Sequence, residues 1–314
     1  MSAWIKRFRF PGKDTVRRAA IIAIMLTVGF ITAGTAGDSP VTDDGSLNTF
    51  VSILPQAYFV QRVGGDYVTV SVLVGPGQSP ATYDPTPKQI AALSDADVYF
   101  TIGVPFEARL LEKLTHLFPD LNIVPTQRGV PLRHFESGTG GDDHDHEKGA
   151  PDPHIWLDPE LVKIQAGTIC DELIRLDPDH AEIYESNLQS FRHDLDSVNA
   201  AIAKLLAPDK GSRFYVFHPS YGYFADRYGL IQVAIESEGR EPGARYLAEL
   251  ISDANAEEIR AVFVQPQFAE TMAEAIAREI HVPVVELDPL ARDYLTNLMD
   301  MARKIDRAIG DGGK

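Results

Sequence analysis

Cysteine is nearly missing: Cys170 is the only one in 314 residues, so no internal disulfide can form. It also lies far from the amino terminus, which excludes it as the lipid-bearing cysteine that follows an export signal. The body of the chain contains no long apolar run, which excludes a polytopic membrane protein. Basic charge is scarce: 29 Lys and Arg stand against 45 Asp and Glu, a formal net charge of −16. Such a balance argues against nucleic acid as a partner and favours cations. Several catalytic signatures are absent too. There is no Gly-x-Gly-x-x-Gly, no phosphate-binding Walker loop, no His-Glu-x-x-His and no Gly-x-Ser-x-Gly elbow.

Six of the 29 basic residues fall near the start. Lys6, Arg7, Arg9, Lys13, Arg17 and Arg18 precede an apolar run from Ala19 to Thr32, and the small residues Ala33-Gly-Thr-Ala-Gly37 follow. A basic head, a short apolar middle and a small-residue exit read as a secretory signal over 1–36, cleaved near Ala36. Retention of this segment as a membrane anchor is the alternative. Because 1–36 carries six bases and one acid, its removal would take the net charge from −16 to −21. The expected location is the periplasm, free of lipid.

Beyond a polar leader at 37–47, short β-rich runs alternate with helical ones. Strands are expected at Phe50–Leu54, Val68–Val74, Val98–Ile102 and Asn122–Val124, with helices at Gln56–Gly64, Pro87–Leu93 and Phe106–Leu117. Residues 137–151 break the pattern with an acidic, Gly-rich and His-containing stretch, read as a mobile surface loop. After helix starts at Asp158-Pro159 and Asp177-Pro178, apolar residues recur at Tyr184, Leu188, Phe191, Leu195, Val198, Ile202 and Leu205. Steps of 4 and 3 put all seven on one stripe of a long helix. A coiled coil would satisfy the same spacing; a strut joining two lobes is preferred. A second series follows, with strands at Phe214–Phe217, Gln232–Ile235, Val262–Gln265 and Val284–Leu287, and helices at Tyr221–Tyr228, Ala244–Ala254 and Ala269–Glu279.

The fold class is therefore α/β: two βα lobes, each with a mostly parallel four-stranded sheet, joined by one long rigid helix. The divisions are 48–176 for the first lobe, 177–208 for the linking helix and 209–314 for the second lobe.

In open α/β sheets, ligands bind beyond the carboxyl ends of the strands. His218 and Asp288 follow two expected strands directly, and each precedes a proline that holds it in an extended turn. His154 sits in Pro151-Asp-Pro-His-Ile-Trp-Leu-Asp-Pro159, where three prolines stiffen the backbone around an imidazole, as a metal ligand requires. Each residue also has an ordinary structural reading: a hydrogen-bonded neutral histidine, or a helix cap for Asp288. Asp158 reads as a helix cap. His144 and His146, flanked by Asp142, Asp143, Asp145 and Glu147, could hold a cation loosely.

Six pieces in order carry a resemblance. They are Gly75-Pro-Gly-Gln-Ser-Pro-Ala-Thr-Tyr-Asp-Pro-Thr-Pro87, Pro153-His-Ile-Trp-Leu-Asp-Pro159, Phe217-His-Pro-Ser-Tyr-Gly-Tyr-Phe-Ala225, Gly239-Arg-Glu-Pro-Gly243, Val262-Phe-Val-Gln-Pro-Gln267 and Glu286-Leu-Asp-Pro-Leu290. With these the chain resembles the zinc-uptake binding proteins of bacterial ABC importers, within a wider group that takes zinc, manganese or iron. The resemblance implies a metal held between the lobes by His154, His218 and Asp288, and delivery to a membrane permease. A histidine at position 218 is similar to the zinc branch. One position departs: where the family places a ligand histidine, Pro80-Ala-Thr-Tyr-Asp-Pro85 has Ala81. Three ligands then remain where zinc usually takes four. Water, Gln78, Tyr83, His144 or His146 could fill the gap.

The expected function is thus a monomeric, non-enzymatic binding protein with Zn2+ as transported ligand and no organic cofactor. Alternatives are manganese or iron as cargo, a non-metal solute, or a zinc metalloenzyme using Glu238 or Glu241 as base.

Overall fold

The computed structural model describes residues 45–135, 149–236, 243–268 and 270–309. The expected signal at 1–36 lies outside the described residues, as do His144, His146, Glu238 and Glu241. Two parallel four-stranded sheets organise the chain, as the alternation of β-rich and helical runs predicts. The first contains β1 (Leu47–Val51), β2 (Val68–Val72), β3 (Val98–Thr101) and β4 (Ile123–Pro125), in the order β2-β1-β3-β4. The second contains β5 (Arg213–Val216), β6 (Ile231–Ala234), β7 (Val262–Val264) and β8 (Val284–Glu286), in the order β6-β5-β7-β8. Every pairing in both sheets is parallel.

Helices α1 (Leu54–Gly64), α2 (Pro87–Leu93), α3 (Pro105–Leu117) and α4 (Pro159–Leu176) accompany the first sheet. β1 begins and ends three residues earlier than expected. Pro55 occupies the first turn of α1, so the chain must leave the strand before it. Asp158 caps α4 by accepting the Glu160 backbone N–H at 2.9 Å.

The long helix α5 (Ala181–Leu205) has 25 residues, about 37 Å at ~1.5 Å each. It starts later than expected because Pro178–His180 forms a 3₁₀ turn. Asp177 does not cap it: its carboxylate instead meets His180 Nδ1 and the Tyr184 hydroxyl, both at 2.7 Å. Of the seven stripe residues, Tyr184, Leu188, Phe191, Leu195 and Ile202 are buried.

The second sheet is accompanied by α6 (Gly222–Tyr228), α7 (Ala244–Ala256) and α8 (Glu270–Glu279), and the described chain ends with α9 (Tyr294–Ile309). The sequence reading named no helix at α9. It packs against α5, and the Tyr294 ring meets Phe59 of α1 edge-on at 4.9 Å.

The period-2 geometry of β5 divides the second sheet between two cores. Phe214 and Val216 join the large core that also holds α1, α4, α5 and α9. Tyr215 and Phe217 face a smaller core with Leu250, Ala254, Ile276 and Ile280.

At the carboxyl edge of the first sheet, Glu107 is buried. It accepts the Ile102 N–H at 2.9 Å, the Gly103 N–H at 2.7 Å and the Ser52 hydroxyl. Burial pushes its carboxyl up to about 7, against the pull of those donors.

Candidate metal centre

His218 and Asp288 follow the carboxyl ends of β5 and β8, and His154 lies on the segment that enters α4. His154 precedes a 3₁₀ turn, Ile155–Leu157, that leads into α4. The Asp152 carboxylate accepts both the His154 backbone N–H, at 3.0 Å, and its ring Nδ1–H, at 2.7 Å. That doubled contact fixes the imidazole to its own backbone. Asp152 itself is fully buried. Burial would raise its carboxyl, but His154 and Arg133 outweigh that and hold it below the ordinary range. Burial lowers His154, which favours the neutral imidazole that a metal needs, although Asp152 pulls the other way.

His218 leaves the end of β5. Its backbone is clasped by the side-chain amide of Gln265, which donates to the His218 carbonyl at 2.7 Å and accepts its N–H at 3.2 Å. Its ring Nδ1 meets Glu236, a buried carboxylate two residues past the end of β6. Phe268 stacks on the ring with centroids 4.8 Å apart.

The two imidazoles therefore share one arrangement. Each commits Nδ1 to a buried carboxylate, which leaves Nε2 as the acceptor nitrogen. Their centroids lie 5.4 Å apart at 72°.

Asp288 follows β8 closely and is partly buried. Its Oδ1 accepts from Leu290 N at 2.9 Å and from Gln267 Nε2 at 2.8 Å. The carboxylate demands the amide nitrogen, so Gln267 Oε1 is left buried without a hydrogen-bond partner. A spare buried acceptor beside a carboxylate suits a cation or its bound water.

Cross-braces join the three segments. Trp156, two residues after His154, donates from Nε1 to the Pro289 carbonyl at 2.7 Å. Tyr221, three residues after His218, donates to the Leu287 carbonyl at 2.7 Å. Asn297 on α9 donates to the Asp288 carbonyl at 2.8 Å. Asp158 takes a two-point ion pair from Arg227 on α6, at 2.8 and 2.6 Å.

The structure thus brings His154 and His218 together and ties the Asp288 turn to both. Among the described residues, no three His, Cys, Asp or Glu side chains gather as a ready metal cluster. The accessory candidates near Ala81 already have partners. Gln78 is exposed and accepts the Gly75 N–H at 2.8 Å, while the Tyr83 hydroxyl bonds to Gln89 at 2.9 Å and to the Leu73 carbonyl. Asp152, Glu236, Gln265 and Gln267 were not singled out from sequence. The strand-end rule that selected His218 reaches Glu236 and Gln265 as well, and Asp152 stands two residues before a histidine between prolines.

Comparison with known proteins bears on this arrangement. A family model described as ZnuA, zinc-uptake complex component A, periplasmic, matches residues 50–308. The high-affinity zinc uptake system protein ZnuA of Yersinia pestis is 29% identical over 259 residues, covering 76% of this chain and 81% of that protein. A crystal structure of ZnuA superposes with a TM-score of 0.78 at 43% identity, covering 84% of this chain and 100% of that one. The zinc-bound crystal structure of a ZnuA mutant lacking 138–173 gives 0.79 at 42% identity, covering 85% and 100%.

Proposed function

We propose, for a chain that belongs to the ZnuA family of periplasmic zinc-uptake components, that zinc is its cargo and that His154, His218 and Asp288 hold it. The chain is then the binding component that hands a metal ion to the permease of an ABC-type importer. One observation carries the assignment of ligands. Two imidazoles face each other with centroids 5.4 Å apart, and each has its Nδ1 locked on a carboxylate. A buried carboxylate behind a histidine fixes the tautomer and raises the basicity of the nitrogen aimed at the metal. Asp288 supplies the third donor and the negative charge. Water is placed fourth: Ala81 offers no donor, Gln78 and Tyr83 are already committed, and His144 and His146 lie outside the described residues. Imidazole, imidazole, carboxylate and water form a set that suits zinc.

Capture and release make and break only bonds to the metal ion, so no enzymatic step is assigned. A monomer is the working unit of this reading. The test is calorimetry on chelator-stripped protein with zinc, manganese and iron near neutral pH. One equivalent of zinc is expected to bind, with His154→Ala and His218→Ala each losing at least about 100-fold in affinity, beyond the ~10- to 100-fold of a supporting residue. Absence of binding for all three metals would overturn the reading.

A further inference from the structure

Arg133 lies outside every segment that carries a ligand, between β4 and the turn that bears His154. Its guanidinium Nη1 donates to Asp152 Oδ2 at 2.9 Å. Asp152 uses its other oxygen for the His154 ring, so the carboxylate is held from both sides at once. On its far side, Arg133 Nε stands 3.1 Å from Asp226 Oδ2 on α6. The Arg133 backbone N–H donates to the Tyr223 hydroxyl at 2.9 Å, and that hydroxyl donates on to the Asp152 carbonyl at 3.0 Å. A short antiparallel bridge between His134 and Pro151 keeps the two strands of this arrangement side by side.

Gly222, the first residue of α6, shows how closely the parts fit. A Cβ there would lie 1.4 Å from Arg133 Nη1, 2.4 Å from Cζ and 3.0 Å from Asp152 Oδ2. A methyl at this position would have to push the guanidinium aside. The segment that runs from His218 into α6 is thereby clamped to the carboxylate that orients His154.

We propose that Arg133 is a positioning residue for metal capture. Its guanidinium sets the Asp152 carboxylate behind His154 and registers that imidazole against the α6 segment that follows His218. The proposal rests on His154 being a ligand. A structural staple alone would affect folding; a positioning residue also changes the geometry and affinity of the bound ion.

A double-mutant cycle on the whole purified protein separates these cases. Gly222→Ala keeps the arginine but drives its guanidinium aside, which a long side chain can accommodate. Arg133→Ala removes it. Zinc affinity is measured by chelator competition, and ligand-field bands are recorded with Co2+ in place of zinc. Each single variant is expected to weaken zinc binding by about 10- to 100-fold and to shift the cobalt bands. The double variant is expected to lose far less than the sum of the two, because the guanidinium that the methyl displaces is gone and only the 3.0 Å approach to Asp152 Oδ2 remains. Arg133→Lys is expected to recover affinity only in part, since one ammonium cannot bridge Asp152 and Asp226. Unchanged affinity and cobalt spectrum in Arg133→Ala, with only a lower melting temperature, would overturn the proposal. Fully additive losses would do the same. If the unmodified protein bound no metal, the ligand assignment would fail instead.

Discussion

The two sheets have the same strand order, yet they are supported very differently. The first is enclosed by a core that α1, α4, α5 and α9 share. The second gives one face, through Phe214, Val216 and Phe263, to that same core. Its other face rests on a smaller cluster around Leu250 and Ile276. The supports of the two histidines differ in the same way. Asp152, behind His154, is braced by Arg133, by two hydrogen bonds to His154 and through its carbonyl by Tyr223. Glu236, behind His218, offers its carboxylate to the imidazole alone among the described residues, while its backbone N–H donates to the Phe217 carbonyl at 3.0 Å. A repeated architecture therefore need not give equivalent halves. One half holds His154 in a frame with a braced carboxylate, and the other carries His218 on a thinner layer, where local opening costs less.

The largest expected effect tests that contrast directly. Asp152→Ala leaves Arg133 and the His154 ring without their buried partner and should cost about 3–5 kcal/mol of folding stability. Glu236→Ala releases one imidazole and should cost about 1–3 kcal/mol. Urea unfolding of both variants without metal measures the difference, and equal costs would break the asymmetry.

A second comparison sets Glu107, in the large core, against its neutral isostere. The folded carboxyl lies near 7 against 4.5 for the exposed group, so burial raises it. A raised value means the native state gives up its proton less readily than the unfolded chain. Stability linked to this group is full below pH ~4.5 and is lost as pH rises through ~7. At ~1.4 kcal/mol per pH unit the loss approaches about 3 kcal/mol. Glu107→Gln should flatten that part of the stability–pH curve between pH 5 and 8, and an unchanged slope would place the titration elsewhere.

How much of this was legible beforehand follows from the physics of each feature. Buried parallel strands announce themselves as short β-rich runs, so β3, β5, β7 and β8 fall where expected to within a residue. His218 and Asp288 were found because they stand at strand ends. Asp152 and Glu236 were not, because a carboxylate becomes distinctive only when buried, and burial is set by distant segments. With 45 Asp and Glu in the chain, neither stood out. Helix α9 has its apolar residues at Tyr294, Leu298, Met301 and Ile305, a readable helical spacing, but its attachment to α1 and α5 depends on chain far away. Ala81 stood out in the sequence, whereas the bonds that occupy the Tyr83 hydroxyl, to Gln89 and to the Leu73 carbonyl, appear only in the fold.

The smallest expected effect sharpens the comparison of cores. Ile202→Val in the large core and Ile276→Val in the small one remove the same methylene, worth about 0.5–1.5 kcal/mol. Both residues are buried. Ile202→Val should lower the global unfolding free energy by that amount. Ile276→Val should speed amide exchange along α8 more than it lowers the global midpoint. Matched shifts in both measurements would mean that the two cores melt as one.

The hydrogen bond from Trp156 to Pro289 has an optical consequence. The chain contains two tryptophans, Trp4 and Trp156. In a chain without residues 1–36, Trp156 would be the sole indole, with its ring 5.2 Å from that of His154 and its N–H on the residue after Asp288. Its ultraviolet emission would then report on the surroundings of His154 and Asp288, readable without a label.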